Sequence, residues 1–160
     1  GEVRGEEAAA LYEAMRVGAA GEAVLGTIHG ESPEAVRERV VTDLGVSASS
    51  FAATDLVVVL DDHRVEVIAE VVDHDGDPSF EPLFERTDAG LAPTGRIDRG
   101  ESRLVESLAE TEETYATVRA CIGQRSDRIA KAARTGRIEP ERYVDWAGRH
   151  RGDGSGGGDR

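Results

Sequence analysis

Asp55-Leu56-Val57-Val58-Val59-Leu60, then Asp61-Asp62-His63, then Arg64-Val65-Glu66-Val67-Ile68-Ala69-Glu70-Val71-Val72, is the stretch that decides the fold. The first segment is continuous, apolar and β-branched, the pattern of a strand lying deep in a sheet. Asp61-Asp62-His63 reads as a turn. Beyond it Val65, Val67, Ala69 and Val71 fall on one face and Glu66, Ile68 and Glu70 on the other, which predicts a hairpin partner with a largely wet outer face. Asp75-Gly76-Asp77-Pro78 is a second turn by its chemistry. Residues 79–86 predict a third, short strand in which Pro82 marks an edge. Residues 87–100 read as a loop.

On the N-terminal side, residues 5–18 predict a helix with Leu11, Ala14 and Met15 on one face and Glu6 and Glu7 in the first turn, where the helix dipole favours negative charge. Ala23-Val24-Leu25-Gly26-Thr27-Ile28-His29 predicts a short buried strand with a polar tip. Ser32-Pro33-Glu34 opens a second helix, Ser32 as its N-cap and Pro33 in the first turn; Val36, Val40, Val41 and Leu44 form its apolar face and Gly45 ends it. On the C-terminal side the character turns helical from Ser102. Leu104, Leu108, Tyr115, Val118 and Ile122 recur at helical spacing, a further helix covers about 125–135, and Pro140 starts another bearing Tyr143, Val144 and Ala147. Cys121 falls on the apolar side and is expected in the core. Residues 151–160 hold no apolar anchor and are expected to be a disordered tail. The resulting division is 1–86 as an α/β body, 87–100 as a loop, 101–150 as a helical region and 151–160 as the tail.

Charge narrows the function. The 160 residues include 32 acidic and 19 basic side chains, a formal charge of −13. A phosphate backbone would be repelled, which argues against nucleic acid as a non-specific partner, and no basic patch suits an anionic membrane surface. No stretch reaches the roughly 18 consecutive apolar residues of a membrane span, and Gly1-Glu2-Val3-Arg4 has no secretory pattern. A single cysteine cannot form an internal disulfide, which points to a reducing, cytoplasmic setting. Lys131 is the sole lysine. An acidic, lysine-poor surface fits a protein kept soluble in high salt; a GC-rich genome favouring Arg, Ala and Gly codons produces the same bias.

Two places carry chemistry. In Gly1-Glu2-Val3-Arg4-Gly5-Glu6-Glu7, a carboxylate just where a parallel strand would end, with a helix following, lies at the usual ligand edge of an α/β sheet. Glu2 there can hold Mg²⁺ through water or polarise an attacking water, and Arg4 can steady phosphate oxygens or pair with Glu2. Taken by themselves, such charges before a helix also read as capping and solvation. Thr27-Ile28-His29 ends the next predicted strand. If the two strands are neighbours, His29 emerges on the same edge as Glu2 and can donate to a phosphate. Judged singly it is equally a surface histidine. His63, His74 and His150 have no metal-site spacing.

Gly1-Glu2-Val3-Arg4-Gly5-x-Glu7, Leu11-Tyr12-x-Ala14-Met15-x-x-Gly18 and Gly26-Thr27-Ile28-His29 together resemble the second half of the type II/type IV secretion motor ATPases, most closely the archaeal branch that drives pili and archaella. Asp55-Leu56-Val57-Val58 resembles that family's Leu-Asp strand, with Thr54 in place of leucine. Arg64-x-Glu66-x-Ile68-x-Glu70-Val71 resembles the returning strand of its β-hairpin, and Arg128-Ile129 through Tyr143-Val144 its helical C-terminus. The resemblance spans about residues 1–150. It implies the C-terminal portion of a RecA-like P-loop ATPase core, a mixed sheet with a β-hairpin, followed by a helical region. Glu2 would end the Walker B strand and place Mg²⁺, Thr27 and His29 would belong to the His box beside ATP, and Arg4 and His29 would sense the γ-phosphate. The implied whole is a hexamer of identical subunits, peripheral to the inner face of the cell membrane under an integral membrane platform protein. Val17-Gly18-Ala19 stands where the family often has Thr-Gly-His, and the chain has no Gly-x-x-x-x-Gly-Lys-Ser/Thr. The chain is therefore expected to be a piece of such a motor, inactive by itself. A non-catalytic interaction module is the alternative expectation.

The charge excess makes a prediction. Like charges repel over a screening length of ~10 Å at 0.1 M salt and ~3 Å at 1 M, so the thermal midpoint, followed by circular dichroism, is expected to rise by several degrees as KCl is raised from ~0.1 M to ~2 M.

Overall fold

The computed structural model describes residues 5–17 and 24–135. They divide into two units with the boundary after Tyr115.

The first unit is built on a four-stranded antiparallel meander in the order β1-β2-β3-β4. The strands are β1 (Leu56–Asp61), β2 (Arg64–His74), β3 (Asp77–Thr87) and β4 (Gly90–Pro93). Two tight turns set its register. Asp61 pairs with Arg64 across Asp62 and His63, which have φ of 44° and 61°. His74 pairs with Asp77 across Asp75 and Gly76, at 55° and 88°. Two-residue loops with both residues at positive φ match the right-handed twist of the flanking strands. The Asp73 carboxylate accepts from the Gly76 amide at 2.8 Å and braces the second turn. A bulge in β2 follows the Val59 pairing, and another in β3 places Leu83 between the Ile68–Phe84 and Ala69–Pro82 pairs.

Three sequence expectations change here. β1 is an edge strand, not a deep one: Val57 and Val59 are buried while Leu56, Val58 and Leu60 are exposed. Its apolar character on both faces, not its position, produced the continuous run. Residues 87–100 are not a loop, because Thr87-Asp88-Ala89-Gly90 turns the chain back into β4 and residues 96–99 form α4 (Arg96–Arg99). β4 pairs with β3 only over residues 84–87, so Pro82, opposite Ala69 and next to the bulge, lies where β3 has no strand on its outer side, as an edge proline does. The architecture is α/β, helices on a sheet, but among the described residues every strand pairing is antiparallel, where the resemblance implies a mixed sheet.

One face of the sheet carries the principal core. Ala8 and Tyr12 of α1 (Gly5–Val17), Val36 of α2 (Pro33–Glu38), Val40, Val46 and Phe51 of α3 (Ala48–Phe51) close over Val57 and Val59. Phe51, fully buried, stacks between Tyr12 and Phe80 with ring centroids 6.0 and 6.1 Å away. Burial pushes the Tyr12 phenol above its ordinary pKa. Ser32 caps α2 by accepting the Ala35 amide at 3.1 Å, with Pro33 in the first position, as the sequence predicts. The helix then widens into a π turn over Arg39–Asp43 and stops at Gly45, whose φ is 70°. The predicted strand over residues 23–29 is not a strand in its described part: Thr27 makes an isolated bridge, Leu25 is 93% exposed, and Ile28 alone packs on the core. One anchored side chain in this run cannot hold a ladder.

The expected continuous helix from Ser102 is broken. α5 (Arg103–Ser107) ends at Leu108, and α6 starts only at Tyr115. Glu110, Glu112 and Glu113 crowd like charges between them, alongside two β-branched threonines. The Tyr115 hydroxyl donates to the Ile97 carbonyl at 2.9 Å. In the second unit, α6 runs unbroken to Arg134, through the expected break near residue 125. Gly123 costs the helix about 1 kcal/mol relative to alanine and does not stop it. Cys121 is exposed, contrary to the expected core position, because burial follows Val118 and Ile122 and Cys121 lies off that stripe. The expected helix after Pro140, with Tyr143, Val144 and Ala147, and the tail 151–160 lie outside the described residues.

Phe51→Ala is expected to cost about 3–5 kcal/mol, read from urea unfolding, because it empties the junction between the helices and the sheet.

Candidate functional site

Of the residues the sequence singles out, Glu2 and Arg4 lie outside the described residues, so the structure does not test whether they share an edge with His29. Thr27 and His29 are described, and both are exposed. Their orientation has a local cause. Ile28 is held by the helical core. Gly30 runs so close to α2 that a β-carbon there would stand 2.6 Å from Val36 Cγ2 and 3.0 Å from the Val36 nitrogen. With an apolar anchor on one side and a close backbone approach on the other, extended-chain alternation turns His29 to solvent. An exposed imidazole immediately before a Ser-capped helix can donate to an anionic oxygen. Among the described residues no three His, Cys, Asp or Glu side chains gather as a metal site.

The structure also brings together a cluster that the sequence reading missed. Glu70, expected on a wet face, is only 1% exposed. Val71 faces the helical core, so alternation sends Glu70 to the opposite face of the sheet. There its Oε2 accepts the Ser102 hydroxyl at 2.8 Å and the Leu104 amide at 3.1 Å, and Ser102 Oγ in turn accepts the Val105 amide at 3.2 Å. A strand carboxylate thus joins Ser102 in capping α5. Arg96 of α4 adds the balancing charge. Its Nη2 is 3.8 Å from Glu70 Oε1, too far for a hydrogen bond, while its Nη1 is 3.0 Å from Glu81 Oε2 on β3 and its Nη2 donates to the Glu101 carbonyl at 3.1 Å. Glu70 Oε1 and Arg96 Nε are both buried without a hydrogen-bond partner.

α4 lies between Gly95 and Gly100, at φ of 85° and 78°. Arg99 grips Glu101 with a two-point fork at 2.9 and 2.8 Å, and this hydrogen bonding holds the Glu101 carboxyl below its ordinary pKa. The cluster ties residues 95–105 to the sheet, and its own chemistry is that of a structural clamp. One signal in the sequence pointed to it. From Val67 to Val72 both faces of β2 are apolar apart from Glu70, which implies cover on both sides.

No family model matches the chain, and no curated protein or solved structure does either. Among the described residues no helix is long and apolar enough to cross a membrane.

Removing the clamp has a signed consequence. Glu70→Ala leaves Ser102, the Leu104 amide and Arg96 short of an acceptor in a dry site and is expected to cost about 3–5 kcal/mol. Glu70→Gln keeps an accepting oxygen and is expected to cost closer to about 1 kcal/mol. Urea titration measures both, and in each variant amide exchange at Val105 is expected to accelerate more than at Val57.

Proposed function

We propose that this chain is the C-terminal portion of a hexameric secretion or pilus-assembly motor ATPase, which couples ATP hydrolysis to protein export or filament assembly. The observation that carries the reading is the motif series Gly1-Glu2-Val3-Arg4-Gly5, Leu11-Tyr12 and Gly26-Thr27-Ile28-His29, at the spacing of one helix. The exposed position of His29, between an anchored Ile28 and the tight passage of Gly30, is compatible with a histidine meeting a phosphate. The β1–β2 hairpin follows in the order that the resemblance implies.

In this reading Glu2 positions Mg²⁺ through water and the attacking water. Arg4 and His29 meet the γ-phosphate and pass its loss to the flanking elements. Phosphoryl transfer is governed by positioning and charge stabilisation. A chain with no phosphate-cradling loop and no P-loop lysine lacks most of that. ATP and Mg²⁺ are therefore cofactors of the whole motor, whose partners are identical subunits and an integral membrane platform protein, on the cytoplasmic side of the membrane.

A second reading, a non-catalytic interaction module, is favoured by one specific observation: the exposed apolar residues Leu56, Val58 and Leu60 on the sheet edge.

The coding sequence upstream of Gly1 tests the motor reading. An in-frame Gly-x-x-x-x-Gly-Lys-Ser/Thr supports it; an upstream frame without such a loop overturns it. In a chain that carries the loop, Glu2→Gln and His29→Ala are each expected to lower phosphate release by at least about a hundredfold. The 160-residue chain is expected to release no more phosphate than its own Glu2→Gln control.

A further inference from the structure

Among the described residues, β1 leaves open both its backbone edge and a row of side chains. Leu56, Val58 and Leu60 are 39%, 44% and 62% exposed. The Val71 amide donates to the Asp55 carbonyl at 3.0 Å. In an antiparallel ladder, residues that exchange bonds with the neighbour alternate with residues that do not, so Asp55 and Val57 turn their backbone groups to β2, and Leu56 and Val58 turn theirs outward. β1 is the terminal strand of the sheet. Among the described residues no backbone group from outside the sheet bonds to Leu56, Val58 or Leu60. The strand has no lysine or proline to blunt it, and the bulge opposite it, in β2, comes only after the Val59 pairing.

Charge selects the occupant. Asp55 stands at one end of the strand and Asp61 and Asp62 at the other, where Arg64 opposite Asp61 offsets one of the two charges; all are exposed. Two copies paired antiparallel about Val58 would set Asp55 of one beside Asp61 of the other at both ends, between chains that each carry a formal −13. Like charges placed across a strand pair oppose pairing. An extended segment with Arg or Lys at both ends turns the same contacts attractive, while its backbone meets the outward groups of Leu56 and Val58.

We propose that the β1 edge docks an extended apolar segment of a partner protein, flanked by basic residues, as a fifth strand of the sheet. This stands apart from the motor reading and gives the second reading a partner chemistry, so failure of either leaves the other untouched.

The test uses the 160-residue chain at the lowest KCl concentration at which circular dichroism shows it folded. Two short synthetic peptides alternate Val and Thr; one carries paired Arg at each end and the other paired Glu. Calorimetry is expected to show binding of the Arg-flanked peptide only, with hydrogen exchange slowed at the Leu56 and Val58 amides. Val58→Lys, at an exposed position, is expected to weaken binding at least about tenfold (1.4 kcal/mol) with an unchanged dichroism spectrum. Equal binding of both peptides, binding without protection at β1, or no binding of either overturns the proposal. So does protection of the Leu56 and Val58 amides in the free chain, whether by a dimer seen in sedimentation or by the chain itself.

Discussion

Register is the constraint on which the first unit depends. The two tight turns, Asp62-His63 and Asp75-Gly76, fix which residue of each strand lies opposite which. A slip of one residue would turn every strand side chain to the other face. In the observed register Val57, Val59, Val67 and Val71 meet the helices of the N-terminal half. Glu70 then faces the other way, toward the segment that follows β4. The bulges allow strands of 11 residues to keep both arrangements while they twist.

Glu70 shows what that register costs. A carboxylate on the interior of a sheet face must be desolvated, and the fold offsets this with a hydroxyl, an amide and a guanidinium from one contiguous segment, residues 96–104. The match is incomplete, since one carboxylate oxygen remains without a hydrogen bond. Buried ionic groups of this kind are poor sources of net stability but strong determinants of where a segment sits. Its companion Arg96 also reaches Glu81 on β3, so one short helix is referenced to two neighbouring strands.

Much of the local structure was legible from residue chemistry. Ser32-Pro33, Gly45, Asp75-Gly76 and Ser102 each impose a local geometry that no tertiary context overrode, and residues 5–17 are helical as predicted. The misreadings share a cause. The depth of β1, the cover over Glu70, the pairing of residues 90–93 and the exposure of Cys121 all depend on which distant element lies alongside, which periodicity within a segment does not record. For the candidate site, the solvent position of His29 followed from its place after Ile28, while Glu2 and Arg4 lie outside the described residues. Arg96 gave no signal, because an arginine among Gly, Asp and Glu looks like any surface charge until its strand neighbours are known.

Helix α6 carries the chain's one thiol on an exposed position, within a unit separate from the sheet. A fluorophore or spin label attached at Cys121 would therefore be unique in the molecule and remote in sequence from the β-strands. It gives a reporter of the C-terminal unit's own motions that requires no engineered residue.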